Sequence, residues 1–204
     1  MANFDELAAT WDDDPAKLRR ARVAAGAIGE ALTLSPRMRV LEYGAGTGLL
    51  SQELAESVGS LTLADPSPGM REVVRQKIAA GILPDAEVVD LDVARDGVAG
   101  KPFDLVVTMM ALHHVPDLAP VLAYFARCLN DGGSLCVIDL EAEDGSFHDP
   151  DFEGHHGFDP DELSAQLVEA GFASPRFRHL YELEKRDRKY GLFLATCERR
   201  PTTG

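Results

Sequence analysis

The stretch VLEYGAGTG, which runs from Val40 to Gly48, decides the fold. It begins as an apolar strand pattern and ends in a glycine-rich turn, and a helical pattern starts directly afterwards at Leu49. Glycines at every second position let the backbone turn tightly and approach a ligand without intervening Cβ atoms. The stretch therefore predicts a strand, a turn and a helix that bind a nucleotide-containing cofactor.

The spacing of the glycines distinguishes between types of cofactor. A dinucleotide-binding turn usually reads G-x-G-x-x-G and places a pyrophosphate at the helix N-terminus. Here the third glycine, Gly48, comes one residue early, and Leu49 occupies the expected position. An NAD-dependent oxidoreductase is therefore an alternative that the spacing does not favour.

The rest of the chain alternates strand and helix patterns. Short apolar runs are followed by segments of helical period, which indicates a doubly wound α/β sheet with helices on both faces. Ligands bind such sheets at the carboxyl ends of the strands. Two more apolar runs, separated by a charged turn, predict a C-terminal antiparallel hairpin and seven strands in all. The predicted parallel strands are residues 39–43, 61–65, 87–90, 104–109 and 134–139, and the hairpin is 177–183 and 190–196.

Three helices have clear boundary signals. Apolar residues recur at helical spacing after Pro68 and again after Asp117. The last helix has Asp159 as its cap and Pro160 in its first turn, and it ends before Gly171. These helices are expected to cover the sheet.

The size and charge of the chain limit its partners. With 204 residues and 45% hydrophobic content, residues 1–204 fit a single domain. A net charge of -14 would repel nucleic acid phosphates and an anionic membrane surface. No apolar run approaches the roughly 20 residues that span a bilayer, and the N-terminus carries Asp5 and Glu6 rather than a basic leader. We expect a cytoplasmic protein with a small-molecule substrate.

Two motifs resemble those of a known family. With Glu42 ahead of the first glycine, the turn reads (D/E)-x-G-x-G-x-G, and residues 103–117 read FDLVVTMMALHHVPD. Both resemble motifs of the class I S-adenosylmethionine-dependent methyltransferases, of the type 11 and type 12 kind. The resemblance implies a Rossmann-like core at 34–200 and S-adenosylmethionine as the cofactor; residues 1–33 lie outside the shared pattern and are expected to form covering helices. It also implies in-line methyl transfer to a small-molecule acceptor, with a non-catalytic cofactor-binding module as the alternative.

The resemblance extends to the residues that would hold the cofactor. Asp65 ends the second strand, where a carboxylate accepts hydrogen bonds from both ribose hydroxyls. The resemblance places Pro66 beside it and Met70 against the adenine, although helical spacing alone fits Met70 facing the sheet equally well. It assigns the adenine amino group to Asp92, with the Val93 amide nearby. The predicted cofactor-binding residues are Glu42, Gly44, Ala45, Gly46, Gly48, Asp65, Pro66, Met70, Asp92, Val93, Met109 and His114.

Histidines are the candidates for acceptor contact or proton abstraction. A general base is needed only for a hydroxyl or protonated amine acceptor, and histidine suits that task near neutral pH. His148, His155 and His156 lie in the loop after the fifth strand and are the predicted catalytic residues; a plain surface loop is the alternative. His113 is predicted to be structural and His114 to line the site. No metal is predicted, and the weaker alternative is a metal site formed by Asp149, Asp151, Glu153, His155 and His156.

The N-terminal segment is a candidate lid. Many enzymes of the family that the motifs resemble close such a segment over the cofactor. Phe4, Leu7 and Trp11, with Tyr43, supply apolar side chains for this purpose. Packing of Trp11 in the core is the alternative.

Overall fold

Seven strands form one sheet in the computed structural model, which describes residues 3–90, 102–173 and 175–201. Their order is β3-β2-β1-β4-β5-β7-β6; the first five strands in the chain run parallel, and β7 pairs antiparallel with both β5 and β6. This confirms the predicted doubly wound sheet with its C-terminal hairpin. The strands are β1 (Arg39–Tyr43), β2 (Ser60–Ala64), β3 (Ala86–Val89), β4 (Phe103–Met109), β5 (Leu129–Leu140), β6 (Arg176–Lys185) and β7 (Arg188–Glu198).

The helices begin where the sequence offers caps. The side chains of Ser67, Asp117 and Asp159 each accept a hydrogen bond from a backbone amide in the first turn of the helix that follows. The α-helices are α1 (Phe4–Leu7), α2 (Pro15–Ala31), α3 (Leu49–Leu54), α4 (Pro68–Ala79), α5 (Leu118–Cys128) and α6 (Pro160–Glu169), and 3-10 helices span Ala8–Asp13 and Leu112–His114.

The core has two layers because successive strand residues face opposite sides of the sheet. Leu41 and Val106 pack in the layer that contains α5 and α6. Their neighbours Val40 and Leu105 pack in the layer that contains α2, α3 and α4. All four are fully buried. The sheet is therefore covered on both faces, and its functional edge is the carboxyl end of the parallel strands.

The hairpin strands are longer than predicted. Arg186 and Asp187 both have positive φ, 54° and 59°, as in the two-residue turns that match strand twist. The pairing of β6 with β7 therefore continues to the tip of the hairpin, where Lys185 pairs with Arg188. Strand β5 also begins earlier than predicted, at Leu129, because this fully buried residue already pairs with Phe103 of β4.

Within the described part of the chain, every helix is too short or too polar to cross a bilayer.

Candidate functional site

A cavity of about 960 Å³ lies at the carboxyl ends of β1, β2 and β4. Most of the predicted cofactor-binding residues line it, and the N-terminal segment and β6 supply further walls. Gly48 does not line it, and Asp92 and Val93 lie outside the described residues. The predicted residues on the wall are Glu42, Gly44, Ala45, Gly46, Asp65, Pro66, Met70, Met109 and His114.

The three glycines of the turn differ in the space around their Cα atoms. All have positive φ, at 68° for Gly44, 55° for Gly46 and 78° for Gly48. A Cβ on Gly48 would lie 2.7 Å from Leu63 Cδ2, so this glycine allows close packing inside the core. A Cβ on Gly44 would lie 2.3 Å from the Cβ of Ala111, whereas Gly46 has no atom within 4 Å of such a position. The open side of the turn is therefore at Gly46.

Glu42, near the end of β1, places a buried carboxyl group at the wall of the cavity. It is 1% exposed, and its Oε2 accepts hydrogen bonds from the backbone amide of Ser51, at 3.0 Å, and from the Ser51 hydroxyl. Burial disfavours the charged carboxylate and raises the pKa of Glu42 to about 7, although the two bonds from Ser51 oppose this shift. Glu42 is thus poised to change charge near neutral pH.

Asp65 is held in place by the turn that it faces. Its Oδ2 accepts from the Gly46 amide at 2.7 Å and its Oδ1 from the Ser67 amide at 2.9 Å. Burial raises the pKa of Asp65, and the two amide bonds act in the opposite direction. Since a carboxylate offers about four lone pairs, acceptor capacity remains for ligand hydroxyls. The buried Arg71 fixes the loop behind it by donating to the backbone oxygens of Asp65, at 2.7 Å, and Pro66, at 2.9 Å.

Two aspartates attach the N-terminal segment to the cofactor turn and to α4. Asp5 Oδ1 accepts from the backbone amide of Gly69 at 2.9 Å, in the first turn of α4. Asp12 accepts from the Thr47 hydroxyl at 2.5 Å and forms an ion pair with Lys77 at 2.7 Å. These contacts were not predicted, because no local pattern links residues so distant along the chain.

Aromatic side chains of the N-terminal segment reach the cavity. Phe4, Leu7 and Trp11 all line it. The Phe4 ring lies 5.9 Å from the Trp11 ring and 5.4 Å from the His114 ring, centroid to centroid, both edge-on. Lys17 Nζ lies 3.8 Å from the Trp11 ring centroid. The N-terminal segment therefore supplies apolar side chains to the wall of the cavity.

Three imidazoles cluster on the wall of the cavity. The ring centroids of His113 and His114 are 4.2 Å apart, and that of His148 is 5.0 Å from His113 and 5.6 Å from His114. His113 is buried, with Nδ1 at 2.6 Å from Asp139 Oδ1. Burial, followed by the charge of His113, lowers the pKa of both His114 and His148 to about 4. Both rings are therefore neutral at physiological pH, and such weak bases suit contact better than proton abstraction.

The other two predicted catalytic histidines point elsewhere. Nε2 of His155 lies 2.9 Å from the backbone oxygen of Val115. The side chain of His156 is 45% exposed, and its Nδ1 lies 3.3 Å from Glu143 Oε1. Neither residue lines the cavity. Of the three, His148 is the one that the structure brings to the cavity wall.

The loop after β5 carries the residues of the alternative metal site that the sequence allowed. Among the described residues, these five side chains do not come together as one group of possible ligands. Asp149 forms an exposed ion pair with Arg186 at 2.6 Å. Of the five residues in that set, only His156 belongs to a group with metal-ligand geometry. The described residues contain two such groups, one formed by His113, His114 and His148 and the other by Glu143, His148 and His156.

Strand β6 contributes a wall that the sequence analysis did not anticipate. Tyr181 and Lys185 line the cavity although their strand is the outermost of the sheet. Lys185 Nζ donates to the backbone oxygen of Phe147 at 2.6 Å and lies 4.0 Å from the Phe147 ring centroid. The loop after β5 therefore folds back towards β6. This path could not be predicted from patterns of neighbouring residues in the sequence.

Comparison with known proteins identifies the family. Residues 16–174 match the family model of a methyltransferase domain. A ubiquinone biosynthesis O-methyltransferase of Azorhizobium caulinodans is 30% identical over 203 residues, which cover 84% of this chain and 79% of that protein. The chain spans only 3% to 6% of the length of three polyketide synthase relatives that it also matches.

Solved structures share the fold. The methyltransferase in a complex with the Haloferax volcanii Trm112 activator has a TM-score of 0.79 at 18% identity, covering 98% of this chain and 99% of that one. A phosphoethanolamine N-methyltransferase of Haemonchus contortus, in complex with S-adenosylhomocysteine, has a TM-score of 0.70 at 12% identity, covering 87% of this chain and 52% of that one.

The family match covers most of the chain, and it confirms the resemblance that the two motifs indicated. The cavity also lies where the motifs predicted a cofactor site, at the carboxyl ends of the parallel strands. The chain therefore belongs to the class I S-adenosylmethionine-dependent methyltransferase family, whose cofactor is S-adenosylmethionine.

Proposed function

We propose that this protein transfers a methyl group from S-adenosylmethionine to a small-molecule acceptor by in-line displacement within the cavity. One observation carries the proposal: the glycine turn, Asp65, His114 and His148 all line a single cavity. Cofactor and acceptor can therefore bind side by side, as the alignment for such a displacement requires.

The residues present fit the cofactor. Asp65 retains acceptor capacity for ribose hydroxyls beyond its two amide bonds. Gly46 leaves open space beside the turn, and Met70 offers an apolar surface on the same wall. Glu42 can accept a hydrogen bond from the methionine portion when it is ionised. When bound, the cofactor supplies a methyl group on a positively charged sulfur, which leaves as a neutral thioether.

The chain then has to align the reactants and exclude water. Phe4 and Trp11 cover the cavity from the N-terminal side, and Asp5 and Asp12 hold them there. Good alignment of two bound reactants is worth about 7–11 kcal/mol of barrier. We assign acceptor contact to His148, since it lies on the cavity wall whereas His155 and His156 do not.

A small acceptor is supported by charge and by the size of the cavity. The net charge of -14 disfavours nucleic acid, and a volume of about 960 Å³ is within the range of small-molecule sites. The two named relatives act on oxygen and nitrogen acceptors, according to their names. Both acceptor atoms are therefore included in the test below.

The test begins with calorimetric titration by S-adenosylmethionine, S-adenosylhomocysteine and NAD. We expect saturable binding of the first two ligands and none of NAD; the reverse result would favour an oxidoreductase. Next, methyl-labelled cofactor is incubated with panels of hydroxyl and amine acceptors and with the small-molecule fraction of a cell extract. Label in a small molecule supports the proposal. Tight cofactor binding with no transfer in any arm would favour a non-catalytic binding module.

A further inference from the structure

We propose that His113, His114 and His148, which all line the cavity, form a binding site for a divalent transition-metal cation. This site goes beyond methyl transfer, and its existence does not depend on the proposed function. It departs from the sequence analysis, which predicted no metal.

The geometry of the three side chains carries the proposal. One ring nitrogen of each lies within 4.8 Å of the corresponding nitrogens of the other two. Bonds of about 2.0–2.1 Å to a shared cation place ligand nitrogens roughly 3.3 Å apart. The ring nitrogens would have to approach one another by up to about 1.5 Å, which small rotations about the side-chain χ angles can supply. Three histidines with one open position are a ligand set of catalytic zinc sites.

A buried carboxylate orients one of the ligands. Asp139 is fully buried, and its Oδ1 lies 2.6 Å from Nδ1 of His113. The backbone amide of Leu140 donates to the same oxygen at 2.8 Å, so the carboxylate is itself held in place. Nδ1 of His113 is therefore engaged, and Nε2 is left as the ligand atom. Carboxylate–histidine pairs of this kind support metal ligands in many proteins.

The remaining two imidazoles lack other partners. Nδ1 of His148 is buried without a hydrogen bond to any described residue. No ring nitrogen of His114 is hydrogen-bonded within the described ranges either, although the ring packs edge-on against Phe4. Phe152 stacks on His148 at 3.7 Å between centroids and 11° between planes, which limits tilting of that ring. A buried polar atom without a partner is rare, and a bound cation would account for Nδ1 of His148.

The competing group, formed by Glu143, His148 and His156, is less suitable. Glu143 Oε2 already accepts from the Phe147 amide at 3.0 Å, and its Oε1 lies 3.3 Å from His156. Those two residues thus pair with each other, and the His156 side chain is 45% exposed. Neither lines the cavity, whereas all three histidines of the proposed site do.

Side chains of both charges lie near the proposed site, and Lys17, Arg19 and Arg20 also line the cavity. Lys185 lines the same cavity and opposes a cation, but its ammonium group donates to the Phe147 backbone oxygen. Two carboxylates lie beside the cluster. Asp139 pairs with His113, and Glu143 has an oxygen within 4.8 Å of a ring nitrogen of His148. In terms of the proposed function, the open coordination position would face an oxygen or nitrogen of the acceptor.

The test uses the whole chain, freed of metal by a chelator and without cofactor or acceptor. Calorimetry with Zn²⁺ and visible absorption with Co²⁺ measure binding. We expect one equivalent of cation, bound with micromolar or tighter affinity, and d–d bands of low-symmetry Co²⁺. His114→Gln and His148→Gln should each weaken binding by about tenfold or more, and His179→Gln, an exposed histidine on β6, is the matched control.

Several outcomes would overturn the site. Absence of binding to the wild type is the first. Binding that survives both His114→Gln and His148→Gln would indicate an adventitious surface site. Loss of binding in Glu143→Gln and His156→Gln, with retention in His114→Gln, would place the cation in the competing group. Because His114 and His148 are only partly buried, these variants should fold, and circular dichroism and melting temperature verify this.

Discussion

The Thr47 hydroxyl donates a hydrogen bond to Asp12 Oδ1 across 2.5 Å, although the two residues are 35 positions apart in the chain. Thr47 belongs to the glycine turn, and Asp12 belongs to the segment that carries Phe4 and Trp11. The second oxygen of Asp12 pairs with Lys77 of α4 at 2.7 Å. One carboxylate therefore links the N-terminal segment to the glycine turn and to the helix beside it.

Replacing this carboxylate should weaken cofactor binding. Asp12→Ala removes the bond to the turn and leaves Lys77, whose side chain is 10% exposed, without its counter-ion. We expect a loss of about 1–2 kcal/mol in the free energy of unfolding, since Asp12 itself is partly exposed, and weaker binding of S-adenosylmethionine. Chemical denaturation and calorimetry measure the two effects. The neighbouring exposed Asp13→Ala is the control, and equal cofactor affinity in both variants would contradict the prediction.

Asp65 should contribute most of the affinity for the cofactor ribose. Hydrogen bonds to a charged group are worth about 1.5–3 kcal/mol, so Asp65→Ala should weaken S-adenosylhomocysteine binding by roughly 10- to 150-fold. Asp65→Asn should also weaken it, because an amide nitrogen must then face the backbone amide of either Gly46 or Ser67. Calorimetry measures the affinity of each variant for S-adenosylhomocysteine, with Asp161→Ala, at an exposed aspartate of α6, as the control. Wild-type affinity in Asp65→Ala would reject the assignment.

Glu42 should make stability depend on pH. Its folded pKa of about 7 lies above the ordinary value of 4.5 because the group is buried. The protonated form is favoured in the folded state, so this contribution is fully present below about pH 4.5 and is lost as pH rises through 7. Relative to Glu42→Gln, the wild type should lose up to roughly 3 kcal/mol of unfolding free energy between pH 4.5 and 8. Urea denaturation of both proteins across this range measures the difference, and a constant difference would refute the shift.

Two glycines of the turn should respond differently to alanine. Both Gly44 and Gly46 have positive φ, which costs an alanine about 1–2 kcal/mol. Only Gly44→Ala adds a collision, since its Cβ would lie 2.3 Å from that of Ala111. That overlap should cost about 1–3 kcal/mol more. Thermal melting compares the two variants, with Gly132→Ala, also at positive φ in open space, as the control. A Gly44→Ala protein as stable as Gly46→Ala would show that the turn can relax.

The fold was largely predictable because it depends on local patterns. Alternating apolar runs and helical periods located the strands and the helices that cover them, and polar residues such as Asp117 and Asp159 marked where helices begin. Strand ends were less predictable. Leu129 extended β5 because of its pairing with Phe103, and the tight turn at Arg186 and Asp187 extended the hairpin. Pairing partners, rather than the residues themselves, decided these limits.

The site was only partly predictable. Most residues assigned to the cofactor line the cavity, but Gly48 packs against Leu63 instead, because its side of the turn faces the core. The loop after β5 offered three equivalent histidines to sequence reasoning. The path of that loop turns His155 towards a backbone oxygen and His156 towards Glu143, and only His148 reaches the cavity.

The sequence by itself determined the order of strands and helices, the cofactor turn and the family, because periodicity, caps and glycine spacing act within a few neighbouring residues. Only the tertiary structure decided which distant side chains meet. The bond between Asp12 and Thr47, the burial of His113 against Asp139, and the gathering of His114 with His148 depend on how loops return to the sheet. Such contacts arise from packing of the whole chain, and no local pattern encodes them.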